Sequence, residues 1–216
     1  MTIRKTPLVI GQFYHIFTRS IADYKVFKSH NDFVRMIDTM IYYRSKNTPQ
    51  KFSRFYSKKN KKNFTLELEV GEKFVKIIAY CLMPTHIHLL LQQIEENGIS
   101  NFMERVLKSY SKYYNTKYKR KGPLWESRFK NVIIKNDEQL LHLTRYIHLN
   151  PVTAYIVKKP EEWLFSSYRE YIDDSSKKIC EFEGFIEIRS EKYKSFVEER
   201  IDYQRELAKI KHLLLE

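Results

Sequence analysis

The chain has 216 residues, 39 Lys and Arg against 26 Asp and Glu, and a formal net charge of +13. That length suits one domain with an appendage, or two small domains. The charge fits a polyanionic partner, nucleic acid above all, although a merely basic protein would share it. Cys81 and Cys180 are the only cysteines, which excludes a disulfide framework and a cysteine-rich zinc site. No apolar run is long enough to cross a bilayer, and the residues after Met1 lack a signal-peptide core, so a cytoplasmic protein without a membrane partner is expected.

Residues 12–19 read as an aromatic-rich strand, and Phe33, Met36, Ile37, Met40 and Ile41 give residues 31–43 helical spacing. Residues 46–63 are polar and lysine-dense, and read either as a mobile solvated loop or as a phosphate-contacting arm. Two strands are expected around Gly71, over 64–70 and 73–83, and a third over 86–92 after Pro84. In this third strand Ile87, Leu89 and Leu91 share one apolar face, which leaves His86 and His88 together on the other.

A helix over 99–118 carries Ile99, Phe102, Met103, Val106, Leu107 and Tyr110 on its apolar side and Arg105, Lys108 and Lys112 on the opposite one. Its basic end, with Lys117, Lys119, Arg120 and Lys121, leads through Gly122 and Pro123 to Trp125, Arg128 and Lys130, and into a strand over 129–135. A solvated basic face is the plain reading of these charges. Contact with nucleic-acid phosphates is the functional one. Trp125 is open to two readings, a base-stacking platform or a core anchor. The sixteen Tyr and fourteen Phe of the chain, more than one core needs, suit stacking on unpaired bases.

Asn136 and Asp137 cap a third helix over 138–149, which Pro151 is expected to close. A charged last helix is expected over 191–215. Strand, helix, strands, helix, strand, helix predicts an α+β fold, a ferredoxin-like or RRM-like antiparallel sheet with packed helices. Residues 1–172 would form the main domain and 173–216 a C-terminal extension with its charged helix.

Two imidazoles on one strand face have the geometry of a metal site but do not complete one. On the third helix Leu140, Leu143, Thr144 and Ile147 define the buried stripe, and His142, Tyr146 and Asn150 follow one another along its shoulder. Asn150 could offer an amide oxygen to the ion while Tyr146 presents a hydroxyl to whatever the ion polarises. The plain alternatives are a boundary aromatic for Tyr146 and a helix cap for Asn150.

Four segments in order carry a resemblance: 80–91 with Pro84-Thr85-His86-Ile87-His88, 122–129 with Trp125-Glu126-Ser127-Arg128, 146–152 from Tyr146 to Val152, and 163–168 from Trp163 to Tyr168. Together they resemble the single-tyrosine HUH transposases, and within them the REP-associated branch, over about residues 8–172. Thr85 stands where that family commonly has Asn, and Thr18-Arg19-Ser20 replaces a more usual Asn-Arg-Gly, a stretch at which the resemblance implies a DNA contact by Arg19. The resemblance implies a divalent-metal endonuclease and strand transferase acting on single-stranded DNA beside a hairpin. Mg²⁺ or Mn²⁺ would be held by His86, His88 and Asn150, and Tyr146 would form a 5′-phosphotyrosine. It leaves open both a homodimer and a chain acting alone. Two rivals remain at this point, a non-catalytic binder of hairpin or single-stranded nucleic acid, and a phosphoesterase in which water attacks.

Overall fold

A computed structural model describes residues 7–48, 50–58, 71–175 and 178–213. The strand expected at 64–70 and the lysines at 59, 61 and 62 lie outside the described residues. In chain order the fold opens with strand β1 (Phe13–Arg19), helix α1 (His30–Arg44), the short helix α2 (Phe52–Lys58), and strands β2 (Val75–Leu82) and β3 (His86–Gln93). Helix α3 (Gly98–Lys117), strand β4 (Lys130–Ile134) and helix α4 (Asp137–Thr153) follow, then the short α5 (Tyr168–Tyr171), α6 (Ser190–Glu198) and α7 (Ile201–Leu213). The four strands pair antiparallel in the order β2-β3-β1-β4, the order in which split βαβ units interleave in the ferredoxin-like arrangement.

Alternation along the strands divides the sheet into two buried faces. Tyr14 and Ile16 of β1 and Ile87, Leu89 and Leu91 of β3 pack with α1 and α3, through Met36, Met40, Phe102, Val106 and Tyr110. Leu90, Ala79, Cys81 and Met83 look the other way and pack with Leu140, Ile147, Leu149 and Val152 of α4, closed over by Tyr168, Tyr171, Tyr193 and Val197. A bulge between Ile77 and Ala79 switches the parity of β2, so that Ile77 serves the first face and both Ile78 and Ala79 the second. Layering therefore puts α1 and α3 on one side of the sheet and α4 on the other.

Three expectations change. Residues 52–58 are helical where a mobile solvated loop or a phosphate-contacting arm is expected, because Phe52 and Phe55 are buried against Tyr42 and draw the segment into the core. Helix α4 continues to Thr153, past Pro151. Proline removes the amide that would bond the carbonyl of Ile147, and Asn150 Nδ2 reaches that carbonyl at 3.4 Å and that of Tyr146 at 2.8 Å. The final helix is split at Glu199 and Arg200, a turn that brings Arg205 onto the carbonyls of Val152 and Lys158, at 3.4 and 3.3 Å. Among the described residues no helix is long and apolar enough to cross a membrane.

Candidate active site

The hairpin between β2 and β3 fixes where the histidines stand. Pro84 and Thr85 form its two-residue tip, closed by Met83 N–H on the carbonyl of His86 at 2.8 Å. The segment after β1 holds this tip, since the amides of Ser20 and Val26 donate to the carbonyls of Thr85 and Pro84, both at 2.8 Å. His86 thus begins β3 opposite Arg19, and His88 stands opposite Phe17, itself paired with Lys130 of β4. Cross-strand partners share a face. Arg19, Phe17, Lys130 and the two imidazoles consequently lie on the side of the sheet covered by α4.

From α4, Tyr146 comes down edge-on to His88, with ring centroids 5.7 Å apart, and to His15 of β1 at 5.9 Å. Arg19, His86, His88, Glu126, Ser127, Lys130, Tyr146 and Asn150 line one cavity of about 400 Å³. Tyr146 is 42% exposed whereas His88 is 8% exposed, so the phenol is reachable from solvent and the imidazole only through the cavity.

Burial lowers the pKa of His86 to about 4, helped by the charge of Arg19. Burial also takes His88 well below the usual histidine range, and His86, His15 and Arg19 add to the effect. Both rings are therefore neutral at neutral pH, the form that offers a lone pair to a metal ion. Burial pushes the Tyr146 phenol upward, opposed by the Asn150 side chain. Each imidazole is tied through Nδ1, His86 to Thr85 Oγ1 at 2.9 Å and His88 to His15 Nε2 at 3.0 Å. Asn150 spends its amide nitrogen on α4 carbonyls, which leaves Oδ1 as its remaining polar atom. Among the described residues no three His, Cys, Asp or Glu side chains converge on a common point. Two neutral imidazoles with one amide oxygen fit a loosely held divalent ion that keeps open positions for oxygen ligands, rather than a closed structural zinc.

Of the basic residues singled out in the sequence, Arg19 and Lys130 stand at this cavity. Arg105, Lys108 and Lys112 do not, because they ride on α3 in the opposite layer, where Arg105 lies over the Phe74 ring at 4.8 Å. Arg120 closes the loop after α3 on the carbonyls of Gly122 and Pro123, at 3.3 and 2.8 Å. Lys119 and Arg128 are exposed on that loop and just beyond it. Trp125 is 9% exposed and packs beside Tyr110, which favours the core anchor over the stacking platform. His142 points away from the cavity to Arg145, at 2.8 Å. His15 was not singled out. Its place in the alternation of β1 put it on the histidine face, but only the pairing of β1 with β3 brings the two together.

On this four-stranded antiparallel sheet the two histidines of β3 thus face a tyrosine of the covering helix α4. The family model described as "Transposase IS200 like" matches residues 41–150, and the chain belongs to that family. It is 30% identical to a protein of Haemophilus influenzae provisionally named a REP-associated tyrosine transposase, over 42% of this chain and 57% of the relative. It is 27% identical to a REP-associated tyrosine transposase of Escherichia coli, over 43% of this chain and 54% of that one. The matches thus span little more than half the length of these curated relatives. A solved REP-associated tyrosine transposase bound to a REP hairpin shares the fold, with a TM-score of 0.56 at 15% identity over 87% of this chain and 99% of that one.

Proposed function

We propose that this protein is a metal-dependent endonuclease and strand transferase acting on single-stranded DNA that adjoins a hairpin, with Tyr146 as its nucleophile. The observation that carries this reading is the approach of Tyr146 to His88 within 5.7 Å, in a cavity shared with His86 and Asn150. A binding protein has no use for that combination. His86, His88 and Asn150 would hold Mg²⁺ or Mn²⁺, and the bound ion supplies charge stabilisation at the phosphoryl oxygens.

The Tyr146 oxygen attacks the scissile phosphorus and loses its proton to water. The bond from phosphorus to the 3′ oxygen breaks, and that oxygen takes up a proton and leaves as a hydroxyl. The 5′ side remains as a phosphotyrosine, and attack by another 3′ hydroxyl reverses the step and joins two strands. Arg19 and Lys130, at the rim, bind the flanking phosphates. One chain supplies every residue named, so the reading requires no homodimer. Residues 1–172 form the catalytic unit in this proposal, and 173–216 an extension that braces α4 through Tyr193.

The test uses a hairpin oligonucleotide with a single-stranded flank, labelled on the 5′-phosphorylated side of the cut, in Mn²⁺ and in EDTA. Label should stay with the denatured protein in Mn²⁺ alone, and Tyr146→Phe should lose it while still binding the hairpin. Cleavage that persists in Tyr146→Phe would mean that water attacks. Tight binding with no cleavage of any hairpin offered would mean a binding protein.

A further inference from the structure

We infer that His15 is a positioning residue, whose Nε2 accepts the Nδ1–H of His88 and thereby presents the Nε2 lone pair of His88 to the cavity. This rests on the reading of His88 as a metal ligand, but the contact itself does not. In the pairing of β1 with β3, Phe17 faces His88 and His15 faces Leu90, so His15 is the diagonal neighbour of His88 on the cavity side. Their rings stack with centroids 5.2 Å apart and planes 23° from parallel. The Nε2 to Nδ1 distance is 3.0 Å, a hydrogen-bond length.

Burial lowers the pKa of His15 to about 4, so both rings are neutral, and the one proton that lies between them belongs either to His15 Nε2 or to His88 Nδ1. If His15 donated, His88 would carry its own proton on Nε2 and turn an N–H toward the cavity, where a cation could not be bound. If His88 donates, its Nε2 is a free lone pair. His86 is likewise tied through Nδ1, to Thr85 Oγ1 at 2.9 Å, so Nε2 is the remaining nitrogen of both rings. Thr85, a departure from the family pattern, thus has a physical role as the partner of His86. Direct ligation by His15 finds no support, since among the described residues three such side chains do not converge. Partners that fix a ligand's tautomer in this manner typically change metal affinity by about 10-fold to 100-fold. His15 also meets the ring of Tyr146 edge-on, with centroids 5.9 Å apart, so one side chain adjoins both His88 and the phenol.

The experiment is nitrogen NMR of the histidine rings in metal-free protein at pH 7.5, followed by Mn²⁺ titration read by electron paramagnetic resonance. Wild type should hold His88 as the Nδ1–H tautomer. His15→Gln, whose amide oxygen can still accept, should keep it. His15→Phe, which preserves a ring but not the acceptor, should shift His88 toward Nε2–H and weaken Mn²⁺ binding by about 10-fold or more. His15→Leu is the second acceptor-free variant should the phenylalanine not fit. An Nε2–H tautomer for His88 in wild type, or an unchanged tautomer in the acceptor-free variant, overturns the inference. The Nδ1–H tautomer in a wild type that binds no Mn²⁺ would uphold the contact and overturn the metal reading of the site.

Discussion

Asp32 ties the first turn of α1 to the last turn of α3, and its replacement by Asn should cost stability in a pH-dependent way. The carboxylate has no exposed surface. It accepts from the amides of Lys28 and Ser29 at 3.0 Å, from Tyr118 and Lys117 at 2.6 Å, and from Tyr113 at 2.9 Å. Burial alone would raise its pKa, but the hydrogen bonds from Lys117, Tyr118, Tyr113 and the Lys28 amide outweigh burial and bring it from 3.8 to about 2. That drop corresponds to about 2 kcal/mol at neutral pH. The folded state holds the proton less tightly than the unfolded chain, so this stabilisation is complete above about pH 4 and is lost as pH falls toward 2. Asp32→Asn removes it and also turns an amide donor either toward the backbone amides of Lys28 and Ser29 or toward the Lys117 ammonium, none of which can accept, for a total of about 3–5 kcal/mol. Urea unfolding followed by circular dichroism at pH 7, and again near pH 3, measures both parts. The gap between wild type and variant should be largest at pH 7 and narrow at pH 3 by about 1 kcal/mol. A variant within about 0.5 kcal/mol of wild type at pH 7, or a gap that does not change with pH, would refute the reasoning.

Further outcomes follow from the layering of the fold. Arg19→Gln with Lys130→Gln should lower the salt dependence of single-stranded DNA binding by about 1.4 in logarithmic slope, about 0.7 for each lost phosphate contact. Lys108→Gln with Lys112→Gln, on the opposite layer, should leave that slope near the wild-type value, and the reverse pattern would place the DNA on α3. At Gly98 an added Cβ would overlap the carbonyl oxygen of Phe74. Gly98→Ala should therefore lose about 1–3 kcal/mol in urea unfolding, and unchanged stability would contradict so tight a start to α3.

The parts of this molecule that the sequence made legible are those written in local periodicity. Alternation in β3 placed His86 and His88 on one face, and helical spacing in α4 put Tyr146 and Asn150 one turn apart, both as found. What local pattern cannot carry is the choice of layer. The basic residues of α3 were correctly assigned to its outer side, but only the sheet shows that this side faces away from the cavity. His15 was obscured for a related reason, since its meeting with His88 depends on strand register. Helix α2 was missed because lysines crowd the segment, although Phe52, Phe55 and Tyr56 had helical spacing within it. The run of α4 past Pro151 turned on a side chain, the Asn150 amide taking up the carbonyl of Ile147, which no periodicity records.

The measurement closest to the central claim is mass spectrometry of the protein after reaction with a hairpin oligonucleotide in Mn²⁺, followed by protease and nuclease digestion. A nucleotide joined through its 5′ phosphate to the peptide that contains Tyr146, absent when His86 and His88 are both replaced by Ala, is the predicted result. Cleaved DNA with no modified peptide, or the adduct on another tyrosine, would contradict the account.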